Sequence, residues 1–173
     1  MHRRTCFRHT ARLVFFLLVL FPALAAAQKT DRTVTPADQA WGWFNEQGLN
    51  FLHMDQYDDA ERMFRAALGE TEKFGVEDER AATTYSNLGS VCQKLARYAE
   101  AEQHYQRAVE LYEKVLGPRH RKVAVALDNL ASLYAAQKRY ADAESYGQRA
   151  LGIMERAAGK NDPQVALIVE GLG

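Results

Sequence analysis

One motif recurs three times along this chain at a nearly constant interval. It starts at Tyr57, Tyr98 and Tyr140, which stand 41 and then 42 residues apart, and an alanine follows each tyrosine by three positions. A fixed interval of this length is typical of stacked structural units that bury their apolar faces against one another. The interval therefore constrains the fold of the chain more than any single segment does.

Each unit contains two segments with apolar residues at intervals of three and four, which predicts a pair of amphipathic helices. A small residue stands twelve positions before the recurring alanine: Gly48, Gly89 and Ala131. Four positions after the alanine, two units have Phe64 and Tyr105, but the third has Gly147. Small residues let two helices approach closely, and bulky residues fill the space beside them. We expect Gly147 to leave a core position unfilled unless Tyr146 turns into it.

These columns resemble the tetratricopeptide repeat. Two further columns support the resemblance, a large apolar residue four positions before the small one and a second alanine seven positions after the first: Phe44, Tyr85, Leu127, Ala67, Ala108 and Ala150. The units are longer than the standard repeat of about 34 residues. The sequences Asn87-Leu88-Gly89 and Asn129-Leu130-Ala131, with Val115 to His120 after a second helix, are similar to the kinesin light chain form. The resemblance implies an all-α, right-handed helical-hairpin solenoid with three helix pairs and a partial fourth.

We expect three segments along the chain. Residues 1–27 are predicted to be a signal peptide, 28–35 a flexible lead and 36–173 the repeat domain. Within that domain the predicted repeats cover about 40–78, 79–120 and 121–162, with a partial repeat at 163–173. The predicted helices span about 36–54, 57–74, 79–95, 98–116, 121–137 and 140–158, and a seventh begins at Pro163.

The first residues predict export. Four arginines precede Leu13, an apolar run reaches Phe21, and small residues stand at Ala25 and Ala27. This order is typical of a secretory signal peptide, here cleaved after Ala27, and it predicts a periplasmic or secreted protein. The alternative is an uncleaved membrane anchor, but a span needs about 20 apolar residues and this run is shorter. We expect no stable membrane insertion after cleavage.

The charge of the mature part bears on the choice of partner. The predicted leader holds four of the 22 basic residues, which leaves 18 basic against 22 acidic residues in the mature part. A mildly acidic chain lacks the basic surface that nucleic-acid binding requires, so no nucleic-acid partner is expected.

Only Cys92 remains after cleavage, so no internal disulfide can form. Its column also holds Phe51 and Tyr134, which predicts a buried, unreactive thiol.

The sequence gives no indication of catalysis. His53, His104 and His120 stand far from one another and from Cys92, so no zinc-binding spacing is present. Paired carboxylates such as Glu100 and Glu102 recur at the same column of every unit, whereas a catalytic pair should be singular. We find no glycine-rich phosphate loop and no nucleophile elbow. The chain is therefore predicted not to be an enzyme and to have no catalytic residue, cofactor or metal.

The resemblance implies a binding surface. Repeat arrays of this kind bind partners on a concave face, which the first helix of each pair lines in this family, so a protein or peptide is the expected partner. The candidate residues are polar and lie outside the core columns: Asn45, Ser86, Asn87, Ser90, Lys94, Asp128, Asn129 and Ser132. A side-chain amide can pair with the backbone of an extended peptide. Alternatively, Asn87 and Asn129 brace neighbouring helices.

The preferred function is a non-catalytic scaffold for protein–protein interaction. Two alternatives remain open. In the first, the chain is a structural unit that self-associates through its last helix, because we expect Leu167, Ile168, Val169 and Leu172 to be exposed there. In the second, the chain is an accessory fragment of a longer repeat-containing enzyme or sensor.

Overall fold

The computed structural model describes residues 34–75, 77–158 and 163–172. Within these ranges the regular structure is entirely helical. The α-helices are α1 (Pro36–His53), α2 (Tyr57–Thr71), α3 (Glu79–Lys94), α4 (Tyr98–Leu116), α5 (Arg121–Ala136), α6 (Tyr140–Ala158) and α7 (Pro163–Leu172), and a 3-10 turn (Glu72–Phe74) extends α2. The predicted signal peptide and nearly all of the predicted lead lie outside the described residues.

The helices pack as consecutive pairs. Helix α1 packs on α2, α3 on α4 and α5 on α6, while α2 contacts α3 and α4 contacts α5, so that the pairs stack in chain order. Helix α7 packs on α6 as the first helix of a fourth unit would. The fold is therefore the helical-hairpin solenoid that the repeat predicts, with three pairs and a partial fourth.

The same turn joins the two helices of every pair. Asp55, Ala96 and Lys138 have positive φ angles of 57°, 57° and 62°. The N–H of the following residue donates to a carbonyl five residues back, as Arg97 does to Cys92 at 2.8 Å. This hydrogen bond caps the orphan carbonyls at the end of the first helix and reverses the chain. Three equal turns give the three pairs the same geometry.

Glycine and an aromatic ring close the first two pairs. A Cβ atom on Gly48 would lie 2.6 Å from the ring of Phe64, and one on Gly89 would lie 2.6 Å from the ring of Tyr105. Both rings are buried, so each fills the space that its glycine leaves open. The predicted close approach of the helices at these two positions is confirmed.

The third pair is closed differently. Ala131 and Gly147 occupy the two columns, and Gly147 lines a cavity of about 280 Å³. Tyr146 is only half-buried and packs against Tyr134, with ring centroids 5.3 Å apart. The position is therefore left unfilled, as predicted for a glycine, and Tyr146 pairs with another ring.

The last helix corrects one prediction. Ile168 is only 3 % exposed, because it and Val165 lie three residues apart on the helix face that joins the main apolar core. Leu167 and Val169, on other faces of the helix, are 65 % and 50 % exposed. The expectation that Ile168 is exposed was therefore wrong. The side chain of Leu172 lies outside the described residues.

Cys92 is buried in the core. Burial raises the pKa of its thiol, because the charged thiolate loses its hydration. A thiol that stays protonated is a poor nucleophile. Its environment therefore agrees with the predicted structural role.

Candidate protein-interaction surface

Helices α1, α3 and α5 lie side by side, and we call the face that they form with the start of α7 the first-helix surface. Hydrogen bonds join neighbouring helices across it. Asn87 Nδ2 donates to Asn45 Oδ1 at 2.8 Å, and Asn129 Nδ2 donates to Ser86 Oγ at 3.1 Å. In both bonds the donor stands one repeat plus one residue after the acceptor. We call each of these bonds a rung. The rungs brace neighbouring helices, as the alternative interpretation of Asn87 and Asn129 expects.

Further pairs, one repeat plus one or two residues apart, also join these helices. Trp41 Nε1 donates to Thr84 Oγ1 at 3.0 Å, and Arg121 Nε donates to Gln164 Oε1 at 3.0 Å. Ion pairs also join Arg80 to Asp38 and Lys122 to Glu79. Sequence reasoning did not identify these residues as part of the surface. Complementary residues separated by one repeat plus one or two positions were the signal that could have found them.

A cavity of about 410 Å³ opens between α3 and α5. It is lined by Thr83, Ser86, Asn87, Tyr112, Arg121, Lys122, Val125, Ala126 and Gln164. Two of the predicted contact residues, Ser86 and Asn87, therefore share one cavity. Hydroxyl and amide groups lie there beside the exposed side chain of Val125. Such a mixture suits a ligand with both polar and apolar groups.

Tyr112 carries one of the polar groups of this cavity. Its hydroxyl lies 2.9 Å from the hydroxyl of Thr83. Burial raises the pKa of Tyr112, and the hydrogen bond to Thr83 opposes that shift only in part. The phenol therefore stays protonated at neutral pH and contributes no charge. The charges at the cavity come from Arg121 and Lys122, and Lys122 is partly neutralised by Glu79.

Asp128 and Ser132 line the other cavity, of about 280 Å³, between α5, α6 and α7. Asp128 is half-buried and Ser132 is exposed. Burial raises the pKa of the Asp128 carboxyl, because the ionised form is more costly to desolvate than the protonated form. These two predicted residues thus lie together, but in a separate cavity from Ser86 and Asn87.

The remaining two candidates lie apart from both cavities. Ser90 lies beside Tyr105, whose hydroxyl donates to Gln93 Oε1 at 3.0 Å. Lys94 is exposed in the last turn of α3. The structure therefore groups six of the eight predicted contact residues around rungs and cavities. Whether any of the eight contacts a partner stays a prediction.

Across residues 34–75, 77–158 and 163–172, no group of three or more histidine, cysteine, aspartate or glutamate side chains could hold a metal ion. In the same ranges, no helix combines the length and hydropathy required to cross a bilayer.

Comparison with known proteins supports the repeat. Residues 80–156 match the model of the family described as Tetratricopeptide repeat. The fold is similar to the crystal structure of BtubC (BKLC) from P. vanneervenii, with a TM-score of 0.73 and 24 % identity over 90 % of this chain and 62 % of that one. The N-terminal domain of stress-induced protein-1 (STI-1) from C. elegans is also similar, with a TM-score of 0.59 and 17 % identity over 80 % of this chain and 98 % of that domain.

The chain spans less than two thirds of the length of BtubC, and both identities are low, so that the similarity concerns the fold alone. A search of curated proteins found no match. Residues 80–156 therefore match the tetratricopeptide repeat, and the two solved structures share the type of fold.

Proposed function

We propose that this chain, in which residues 80–156 match the tetratricopeptide repeat, is a non-catalytic scaffold that binds a segment of a partner protein on its first-helix surface. Stacked repeats present an extended surface of this kind to partners. The residue roles and the groove itself belong to this proposal, as does the similarity of its long repeats to those of kinesin light chain.

The cavity between α3 and α5 is the observation that carries the proposal. Its lining combines the exposed apolar side chain of Val125 with hydroxyls, an amide and two cations. Ser86 and Asn87 each use part of their hydrogen-bonding capacity in a rung. An amide and a hydroxyl have further donor or acceptor sites. An extended segment could therefore bind there through its backbone while one of its side chains contacts Val125.

A matched pair of variants tests this surface. Val125 on α5 is 39 % exposed and Val115 on α4 is 37 % exposed, so a glutamate at either position should be tolerated by the fold. A carboxylate at position 125 would stand one helical turn from Arg121 and Lys122 and would occupy the cavity. Photo-crosslinking in the source cell, followed by titration of the purified partner, should show binding with the wild type and Val115→Glu. Val125→Glu should lose it. Equal binding by both variants would place the interface elsewhere.

Export is a second part of the proposal. The basic start, the short apolar run and the small residues at Ala25 and Ala27 support a signal peptide and a periplasmic or secreted protein. Mass spectrometry of protein produced in the source cell should find a chain that starts at or near Gln28. A membrane-bound product that retains Met1 would contradict cleavage.

Self-assembly is the second candidate function. Leu167 and Val169 on α7 are exposed, and two such side chains form an apolar surface that a second copy could cover. Sedimentation velocity of the chain from Gln28 onward should then show dimers whose fraction increases with concentration. Replacing Leu167 and Val169 with serine should abolish them. A monomer at all concentrations would exclude this candidate.

A further inference from the structure

The rungs of the first-helix surface stop at α5. Asn87 donates to Asn45, and Asn129 donates to Ser86, each from one repeat plus one residue further along the chain. On α5 the acceptor position is held by Asp128. The corresponding donor position on α7 is Gly171, 43 residues later, and the same offset relates Arg121 to its partner Gln164. Glycine has no side chain, so the next rung has an acceptor but no donor.

A cavity occupies the place of the missing rung. Asp128 and Gly171 both line the space of about 280 Å³ between α5, α6 and α7. Gly147 of α6 lines it as well, because the third pair lacks the aromatic ring that fills this column in the first two pairs. The rest of the wall comes from Ala131, Ser132, Ala135, Leu167 and Ile168. We call this space the Asp128 pocket.

The carboxylate in this pocket has no side-chain partner within the described residues. Within the described part of the chain, no side chain donates a hydrogen bond to Asp128 and none forms an ion pair with it. Burial raises the pKa of the carboxyl, and no neighbouring cation opposes the shift. A half-buried carboxylate without a donor is unfavourable. A ligand that brings a positively charged donor would relieve this cost.

The remaining wall indicates which donor fits. The Ser132 hydroxyl can accept a second hydrogen bond, and an ammonium group has three donors. Ala131, Ala135, Leu167 and Ile168 offer an apolar lining for a methylene stem. A cavity of about 280 Å³ is small for a drug-sized ligand but suits a single side chain.

We infer that the Asp128 pocket binds the primary ammonium group of a lysine side chain from the partner segment, with its methylene stem against the apolar wall. The inference rests on the proposed function for the source of the lysine. The pocket chemistry itself can be tested without any partner. A free alkylamine shares this chemistry, and the experiment below separates the two sources.

The first test uses small probes. The lysine probe is Nα-acetyl-lysine methylamide, and its uncharged analogue is Nα-acetyl-norleucine methylamide. Each would be titrated into isotope-labelled protein while the amide resonances of Gly171 and Ser132 are followed. The lysine probe should bind at least about 10-fold more tightly, as expected for a charge-assisted hydrogen bond to a carboxylate. Equal affinities of the two probes would overturn the inference.

Variants locate the binding in the pocket. Asp128→Asn keeps the shape of the side chain and removes its charge. Gly171→Asn places a donor where the rung is missing. A Cβ atom at position 171 meets no neighbour within 4 Å, so the fold should tolerate it. Each should weaken lysine binding at least about 10-fold. Glu144→Gln removes one exposed carboxylate elsewhere on α6 and should leave lysine binding unchanged. Circular dichroism would verify that every variant is folded. Unchanged binding in Asp128→Asn, or an equal loss in Glu144→Gln, would refute the pocket.

The last arm identifies the source of the ammonium group. Cadaverine, the free diamine that corresponds to lysine without its carboxyl group, should bind no more tightly than the lysine probe. Asp128→Asn should weaken capture of the partner. Much tighter binding of cadaverine would overturn the lysine source. If Asp128→Asn binds the partner as well as the wild type does, that source is also wrong. Loss of partner capture only in Val125→Glu would support the proposed function without the lysine.

Discussion

The second and third helix pairs have the same turns and nearly the same length, but their interiors are filled in opposite ways. In the second pair, Gly89 on α3 receives the ring of Tyr105 from α4. In the third pair, Ala131 on α5 faces Gly147 on α6, and a cavity remains there. The backbone of the repeat is therefore maintained by its turns and its stacking, while the two central columns decide whether a pair is closed or contains a pocket.

The first pair extends the comparison. Gly48 and Phe64 close it in the same way as Gly89 and Tyr105 close the second pair. The rungs are also present beside the closed pairs and missing beside the open one. They join α1 to α3 and α3 to α5, but the donor position on α7 is a glycine. Unfilled core volume and an unmatched polar group thus occur at the same place in the molecule. Elsewhere in a packed protein interior both features are uncommon.

The largest expected effect comes from opening a closed pair. Phe64→Ala would remove a fully buried ring and leave Gly48 facing a cavity, as Ala131 does in the third pair. We expect the free energy of unfolding to fall by about 3–5 kcal/mol. Urea denaturation followed by circular dichroism would measure it. A loss below about 1 kcal/mol would mean that a filled column is not required for stability.

The next effect comes from the glycine itself. Gly89→Ala would place a Cβ atom 2.6 Å from the ring of Tyr105, and overpacking of this kind costs about 1–3 kcal/mol. Gly69→Ala is the matched control, because a Cβ atom there meets nothing within 4 Å. This control should be stabilised by up to about 1 kcal/mol through helix propensity. Thermal unfolding should therefore shift in opposite directions for the two variants. A shift in the same direction would show that Tyr105 can move away.

A smaller effect is expected from breaking a rung. Asn87→Ala removes the donor to Asn45, and a typical hydrogen bond contributes about 0.5–1.5 kcal/mol to stability. The same substitution tests whether Asn87 braces neighbouring helices or contacts the partner. If bracing is its role, stability falls and partner affinity follows only through the fold. Unchanged stability with weaker partner binding would instead assign Asn87 to the interface.

The columns of the repeat were enough to predict the helices and the close approach at Gly48 and Gly89. They did not predict the burial of Ile168. Its burial depends on how α7 rotates against α6, and an almost wholly apolar helix has no polar face that would indicate this rotation.

The rungs could not be predicted by comparing the repeats one column at a time. Asn87 and Asn129 share one column, but their acceptors Asn45 and Ser86 lie in the column before it. The pairing becomes evident only when neighbouring helices are placed side by side with a one-residue offset. The same offset pairs Asp128 with Gly171, so the sequence alone showed a polar residue there but not its missing partner.

The unmatched carboxylate has a defined consequence for stability. Because the pKa of Asp128 is higher in the folded than in the unfolded chain, its ionisation disfavours folding. This cost is fully present above the folded-state pKa. It disappears as the pH falls below the ordinary value for aspartate. Gly171→Asn, which supplies a donor, should therefore stabilise the protein at neutral pH and confer no such advantage in acid.

Titration of the Asp128 carboxyl carbon by NMR tests the missing rung most directly. We predict a pKa above the ordinary aspartate value in the wild type and a lower pKa in Gly171→Asn, because the new amide donates to the ionised carboxylate. An ordinary pKa for Asp128 in the wild type, or the same raised pKa in both proteins, would contradict the account.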